Sequence, residues 1–342
     1  MKRSTIPLAA LAVAATLSAA VTAQARDQIR IIGSSTVFPF TTAVAEEFGK
    51  TSGFKTPVVE STGTGGGLKL FCSGVGVDFP DIADASRRIK KSEFDNCVQS
   101  GVSQITEVKI GFDGIVFANG IKAPHFNLTR QQLFLAMAKN VPQGGKLVPN
   151  PYKTWNQIDP SLPKQPILVY GPAPNHGTRD AMADLVMTPG CGKFPEIAAL
   201  DGDAKKEACE GVREDGAFVE VSETYNVTLE KLTKDPNAVG VFGYSYYDNN
   251  RDKVQASTIE GVDASFDTIS SQKYVVSRYL YFYVKGAHVG AIPGMKEFIA
   301  EFTSDKAWGP NGYLSDKGLI PLPDADRKTE ADNAKKLAPF TM

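Results

Sequence analysis

The chain has 342 residues, 42% of them hydrophobic, which is enough apolar material for a large core and for two domains. Its formal net charge is −1, or about −3 without Lys2 and Arg3 of the leader described next. No basic stripe is present, which argues against nucleic acid as a partner; a small anion is still admissible, because local donors bind it whatever the total charge.

Residues 1–25 read as a secretory signal. Lys2 and Arg3 form a basic start, residues 6–21 are apolar and alanine-rich, and Ala23-Gln24-Ala25 is an A-x-A cleavage site that leaves Arg26 as the mature N-terminus. The apolar run is short for a bilayer anchor, no cysteine stands at the cleavage point, and no later segment is long and apolar enough to span a membrane. A soluble exported protein is expected. The even set of four cysteines agrees with export: chain neighbours suggest Cys72 with Cys97 and Cys191 with Cys209, although four cysteines allow three pairings. Their spacing lacks the C-x-x-C knuckle of a zinc site.

In chain order, residues 29–32 predict a strand running into Gly33. Pro39 suits the first turn of the helix that follows, where Phe40, Val44 and Phe48 recur every fourth residue. A second strand covers 57–59, and Leu68, Phe71 and Cys72 begin a second helix after a run of glycines. A third strand ends near Ser86. This strand–helix alternation predicts an α/β fold with a largely parallel or mixed sheet. Residues 108–119 form a long β-type run broken by Asp113-Gly114, and a second such run covers 274–284. Two extended crossings so far apart predict a discontinuous layout, with lobe one at 26–112 and 281–342 and lobe two at 113–280. Within lobe two, a helix is expected over 133–137, a strand over 167–170, and a helix after Thr178. On the return, Met295, Phe298, Ile299 and Phe302 have the spacing of a packed helix face, and the tail from 324 reads as solvated surface.

Three stretches share one chemistry: 33–36 (Gly-Ser-Ser-Thr), 61–67 (Ser-Thr-Gly-Thr-Gly-Gly-Gly) and 176–179 (His-Gly-Thr-Arg). Each places small hydroxyl residues and glycine where a strand hands over to a helix. Such a start has unpaired N–H groups and partial positive charge, so it attracts anions. One such turn is commonplace; three suggest a site that wraps a small oxyanion. The glycine run alone fits neither a Rossmann fingerprint nor a P-loop. Arg87 and Arg179 each follow a hydroxyl residue and are the candidate cations, with a surface salt bridge as the commoner fate of either alone. Asp113 interrupts an apolar strand. It could accept a proton from monohydrogen phosphate, which sulfate cannot offer, or it could simply make an Asp-Gly turn or helix cap. With three histidines and no H-E-x-x-H or G-x-S-x-G, enzymatic chemistry has little support.

These residues in this order resemble the periplasmic phosphate-binding protein of ATP-binding-cassette phosphate importers, the PstS family. The resemblance runs through 33–39, 63–69, 81–87, Asp113-Gly114, 154–156, 177–179 and 318–323. It implies a two-lobed type II periplasmic binding fold with mixed sheets. Such a protein closes over one inorganic phosphate, without cofactor or metal, and delivers it as a monomer to a membrane permease. By the same resemblance Ser35, Thr36 and the backbone at Val37 and Phe38 would hold phosphate at the first helix start, and Thr64 at the second, beside Ser86 and Arg87. Gly177, Thr178 and Arg179 would close from the other lobe. Two departures stand out. His176 occupies a position where many relatives have serine, and its protonation would vary with pH. Ser86 occupies a position where some carry the proton-accepting carboxylate, which leaves Asp113 for that role. Another tetrahedral oxyanion, such as sulfate or molybdate, is the alternative ligand; an exported phosphatase is the alternative class.

Overall fold

The computed structural model describes residues 26–174, 176–221 and 225–342. The predicted signal segment lies outside the described residues. Among the latter, no helix is long and apolar enough to cross a membrane.

The first strand, β1 (Arg30–Gly33), buries Ile31 and Ile32 and leads to helix α1 (Phe38–Thr51), with Pro39 in its first turn. Phe40, Val44 and Phe48 form its buried stripe, at the expected spacing. Strands β2 (Val58–Ser61) and β3 (Ile82–Ala85) flank β1 in parallel. Helix α2 (Thr64–Phe71) differs from expectation: it starts at Thr64, so Gly65–Gly67 form its first turn instead of a preceding loop. Close packing explains this. A Cβ on Gly67 would stand 2.4 Å from the Cα of Gly33, so only glycine lets the helix start rest on the end of β1.

The sixteen-residue strand β4 (Ile105–Gly120) runs straight through Asp113-Gly114, where a break was expected. What changes there is the partner. Up to Gly114, β4 pairs antiparallel with the return strand Ser277–Lys285, with Asp113 opposite Arg278; from Ile115 it pairs with Val239–Gly243. One continuous path of strands results, in the order β2, β1, β3, return strand, β4, Val239–Gly243, Val169–Pro172 and Phe218–Val221, with Val254–Ala256 added on β4. Parallel pairs lie at both ends of the path and antiparallel pairs in its middle, as in a two-lobed α/β fold of the type II kind.

The apolar residues separate at the same point. Val108 and Ile110 pack with Leu280, Phe282 and the helix Met295–Phe302, whereas Ile115, Val116 and Phe117 pack with Trp155, Val239 and Tyr274. Each fully buried large side chain contributes roughly 1.5–3 kcal/mol, and Met295, Phe298, Ile299 and Phe302 are all buried as their spacing predicts. The helix Arg130–Met137 covers the helix expected at 133–137, and the strand Val169–Pro172 sits two residues later than expected. The tail is mostly exposed, as expected, but it is anchored to the core. Residues Asp324–Lys336 form a helix that buries Arg327 and Ala334, and Phe340 packs edge-on against Phe94, 5.4 Å between ring centres. The cysteines are joined as Cys72–Cys97 and Cys191–Cys209.

Candidate functional site

The first helix-start motif meets both others: residues 61–67 pack on Gly33, and residues 176–179 reach Thr36. Gly177 opens the helix Gly177–Met182, and a Cβ there would lie 3.1 Å from the Cα of Thr36 and 3.5 Å from the carbonyl oxygen of Ser35. The missing side chain therefore lets a lobe-two helix start abut the lobe-one motif. His176 caps that start, its Nδ1 accepting from the Thr178 N–H at 3.0 Å. Thr178 is buried, and its hydroxyl shares a hydrogen bond with the Tyr225 hydroxyl. Burial pushes the Tyr225 phenol up to about 12, so it stays protonated at neutral pH.

Thr36, Asp113, His176, Gly177, Thr178 and Tyr225 line a cavity of about 260 Å³, with Ser245 and Asn249 on its far side. Lys317 lines it as well, and the buried cation beside it is Arg278, which sequence reasoning missed. Its guanidinium reaches Thr36 Oγ1 at 3.0 Å, Asp184 Oδ2 at 2.7 Å and Asp113 Oδ2 at 3.3 Å. Strand register delivers it, since Arg278 and Asp113 face each other at the point where β4 changes partner. A signal existed: one arginine inside the otherwise apolar and aromatic run 274–284. Burial raises the Asp113 carboxyl above the usual range, and the Arg278 charge opposes that rise.

The other predicted residues are placed differently. Ser35 donates its hydroxyl to Asp180 of the facing helix. The amides of Val37 and Phe38 are already engaged by Ser34, through its Oγ at 3.4 Å and its carbonyl oxygen at 2.9 Å. Thr64 and Ser86 are bonded to each other, hydroxyl to hydroxyl at 3.0 Å, and the Ser86 N–H donates to the Thr64 hydroxyl at 3.0 Å. Together with Ser35 and Arg87 they border a second cavity of about 320 Å³, closed from lobe two by Asp180, Asp184, Lys206 and Glu210. Arg87 forms a two-pronged pair with Glu93 at 2.9 and 2.7 Å. Arg179 bonds the Pro172 carbonyl and Glu220, both at 2.9 Å, and lies over the Phe218 ring, so it lines neither cavity. Among the described residues, no cluster of His, Cys, Asp and Glu could hold a metal ion.

The profile of the PBP superfamily domain matches residues 18–306. The chain is 29% identical over 348 residues to Protein SphX of Synechocystis, covering 99% of this chain and 89% of that one. It is 29% identical over 301 residues to the phosphate-binding protein PstS of Staphylococcus saprophyticus, covering 86% and 80%. Among solved structures, a possible phosphate-binding protein of Planctomyces limnophilus superposes with a TM-score of 0.74 at 25% identity, covering 91% of this chain and 98% of that one. An ABC-type phosphate transport receptor of Vibrio cholerae shares the fold, with a TM-score of 0.59 at 22% identity over 86% of this chain and all of that one. Motif order, sheet topology and profile converge, and the chain belongs to the PBP superfamily and, within it, to the PstS family.

Proposed function

We propose that this protein captures inorganic phosphate in the cleft between its lobes and delivers it to the membrane permease of an ABC importer, as a monomer in the periplasm. Binding without chemistry is the whole activity. The lobes, taken as 26–112 with 281–342 and 113–280, close about the two crossing strands, which excludes water and completes the donor set. One observation carries the reading: hydroxyls from the two lobes, Thr36 and Thr178, line a single cavity beside the Arg278–Asp113 pair. The relatives named as phosphate-binding proteins support the same ligand.

A dianion leaving water must have nearly all its oxygens paired. The Arg278 fork and the two threonine hydroxyls can do that without a metal, and the Thr178 N–H joins them once it leaves His176. Asp113 then selects among oxyanions. As a buried carboxylate it accepts the proton of monohydrogen phosphate and repels fully ionised sulfate. Calorimetric titration of phosphate against sulfate across a pH series tests this. Tight phosphate binding with weak sulfate binding, and loss of that preference in Asp113→Asn, is the expected result. Equal binding of sulfate would reassign the protein to another oxyanion, and release of phosphate from a phosphoester would make it an enzyme.

A further inference from the structure

Asp180 and Asp184 lie four residues apart in the helical run that begins at Gly177, the spacing that puts two side chains on one face. That face looks across the cleft. Asp180 accepts a hydrogen bond from the hydroxyl of Ser35, in the motif that follows β1, and Asp184 accepts one from Nη1 of Arg278 at 2.7 Å. Both acceptors come from lobe two; Ser35 comes from lobe one, and Arg278, on the crossing strand, also donates to Thr36 of lobe one and so ties Asp184 to it. The donors are a hydroxyl and a guanidinium, the groups an oxyanion calls for. The Thr36–Gly177 approach beside them is a backbone contact with no charge, so the two carboxylates are the ionic part of this interface.

We propose that Asp180 and Asp184 form an interlobe latch: stand-in anions that hold Ser35 and Arg278, keep the lobes together in the ligand-free protein, and yield when an oxyanion arrives. The surroundings are consistent with a carboxylate that can be exchanged. Glu210 lies in the same cavity wall and repels both acids, while the charges of Lys206 and Arg87 in that wall offset part of the repulsion. Asp184 is more than half exposed, so its pair with Arg278 is open to water and to salt.

The latch rests on the phosphate reading only for the identity of the displacing ion, and the experiment separates the two. Small-angle scattering of the ligand-free protein is compared with that of the double variant Asp180→Asn, Asp184→Asn, and phosphate is titrated into both. The variant is expected to show a larger radius of gyration without ligand. Its phosphate affinity is expected to tighten about tenfold, the factor for a protein whose binding-competent state is about one-tenth populated. Raising the salt concentration should expand the ligand-free wild type in the same direction, which keeps the proposal testable if the double variant folds poorly. A ligand-free variant as compact as the wild type, a wild type unmoved by salt, or an affinity that stays level or weakens would overturn it. Failure of the wild type to bind phosphate while the scattering difference holds would instead overturn the ligand assignment alone.

Discussion

The helix starts and the crossing strands contribute differently to the cavities. At the helix starts, backbone and hydroxyl groups are abundant, but many are engaged nearby: Ser34 holds the amides of Val37 and Phe38, and Thr64 holds Ser86. The motif arginines are likewise tied, Arg87 to Glu93 and Arg179 to Glu220. The crossing strands hold few polar groups, yet Arg278 and Asp113 lie there face to face and reach both lobes. Short motifs shape the walls of the cavity, while Arg278, the buried cation beside it, comes from a regular strand that no motif marked.

Replacing Arg278 tests that division most severely. Arg278→Ala leaves Asp113 buried without its cation and frees Asp184, so it removes the buried cation of the site and adds a repulsive carboxylate. Breaking one side of a buried pair costs about 3–5 kcal/mol, and phosphate affinity is expected to fall by at least a hundredfold in calorimetry. Arg278→Lys should recover little, because one ammonium cannot reproduce a fork that serves Thr36, Asp113 and Asp184 together.

Next in size is a stability effect beneath the first helix start. Asp84, at the end of β3, accepts the Ser34 amide at 2.9 Å through its carbonyl, while its buried carboxyl leaves Oδ1 without a partner. Burial pushes that carboxyl up to about 8. The folded chain therefore holds this proton more tightly than the unfolded chain. The resulting stability is complete at acid pH and is lost as pH rises through about 8. Denaturant titrations of wild type and Asp84→Asn between pH 4 and 9 should diverge by a few kcal/mol, with the variant gaining relative stability as pH rises. Parallel curves would mean that the carboxyl is hydrated.

Thr178→Val probes a helix-start hydroxyl directly. It keeps the shape but removes the bond to Tyr225 and one donor to the cavity. A lost hydrogen bond of about 1–1.5 kcal/mol corresponds to roughly a tenfold weaker phosphate titration.

Much of the frame was legible because apolar periodicity and turn chemistry are local. The α1 stripe and the face of Met295–Phe302 follow from spacing, and chain proximity suggested, among three possible pairings, the two cysteine pairs that form. The tail helix was hidden because its burial rests on two residues, Arg327 and Ala334, set among charges. In the site, convergence of 33–36 with 176–179 was foreshadowed by composition. The partners that tie Arg87 and Arg179 were not, since Glu93 and Glu220 join them only after folding. Arg278 depended on register, which a single strand does not disclose until its neighbour is known.

The smallest expected effect belongs to Arg179, one of the two arginines that the motifs offered as cations. Its guanidinium bonds the Pro172 carbonyl and a half-exposed Glu220, and it lies 5.4 Å from the centre of the Phe218 ring. A pair of that exposure is worth about 0.2–1 kcal/mol. Arg179→Ala should therefore lower the melting temperature slightly and weaken phosphate binding by no more than about fivefold. The comparison with Arg278→Ala is the informative one, because both remove a guanidinium from the neighbourhood of Thr178 and only one removes it from the strand crossing. If the Arg179 variant lost binding as fully as the Arg278 variant, its side chain would have to leave Glu220 and enter the cleft with the ligand. The helix start would then supply charge as well as shape, and the division between helix starts and strands would fail.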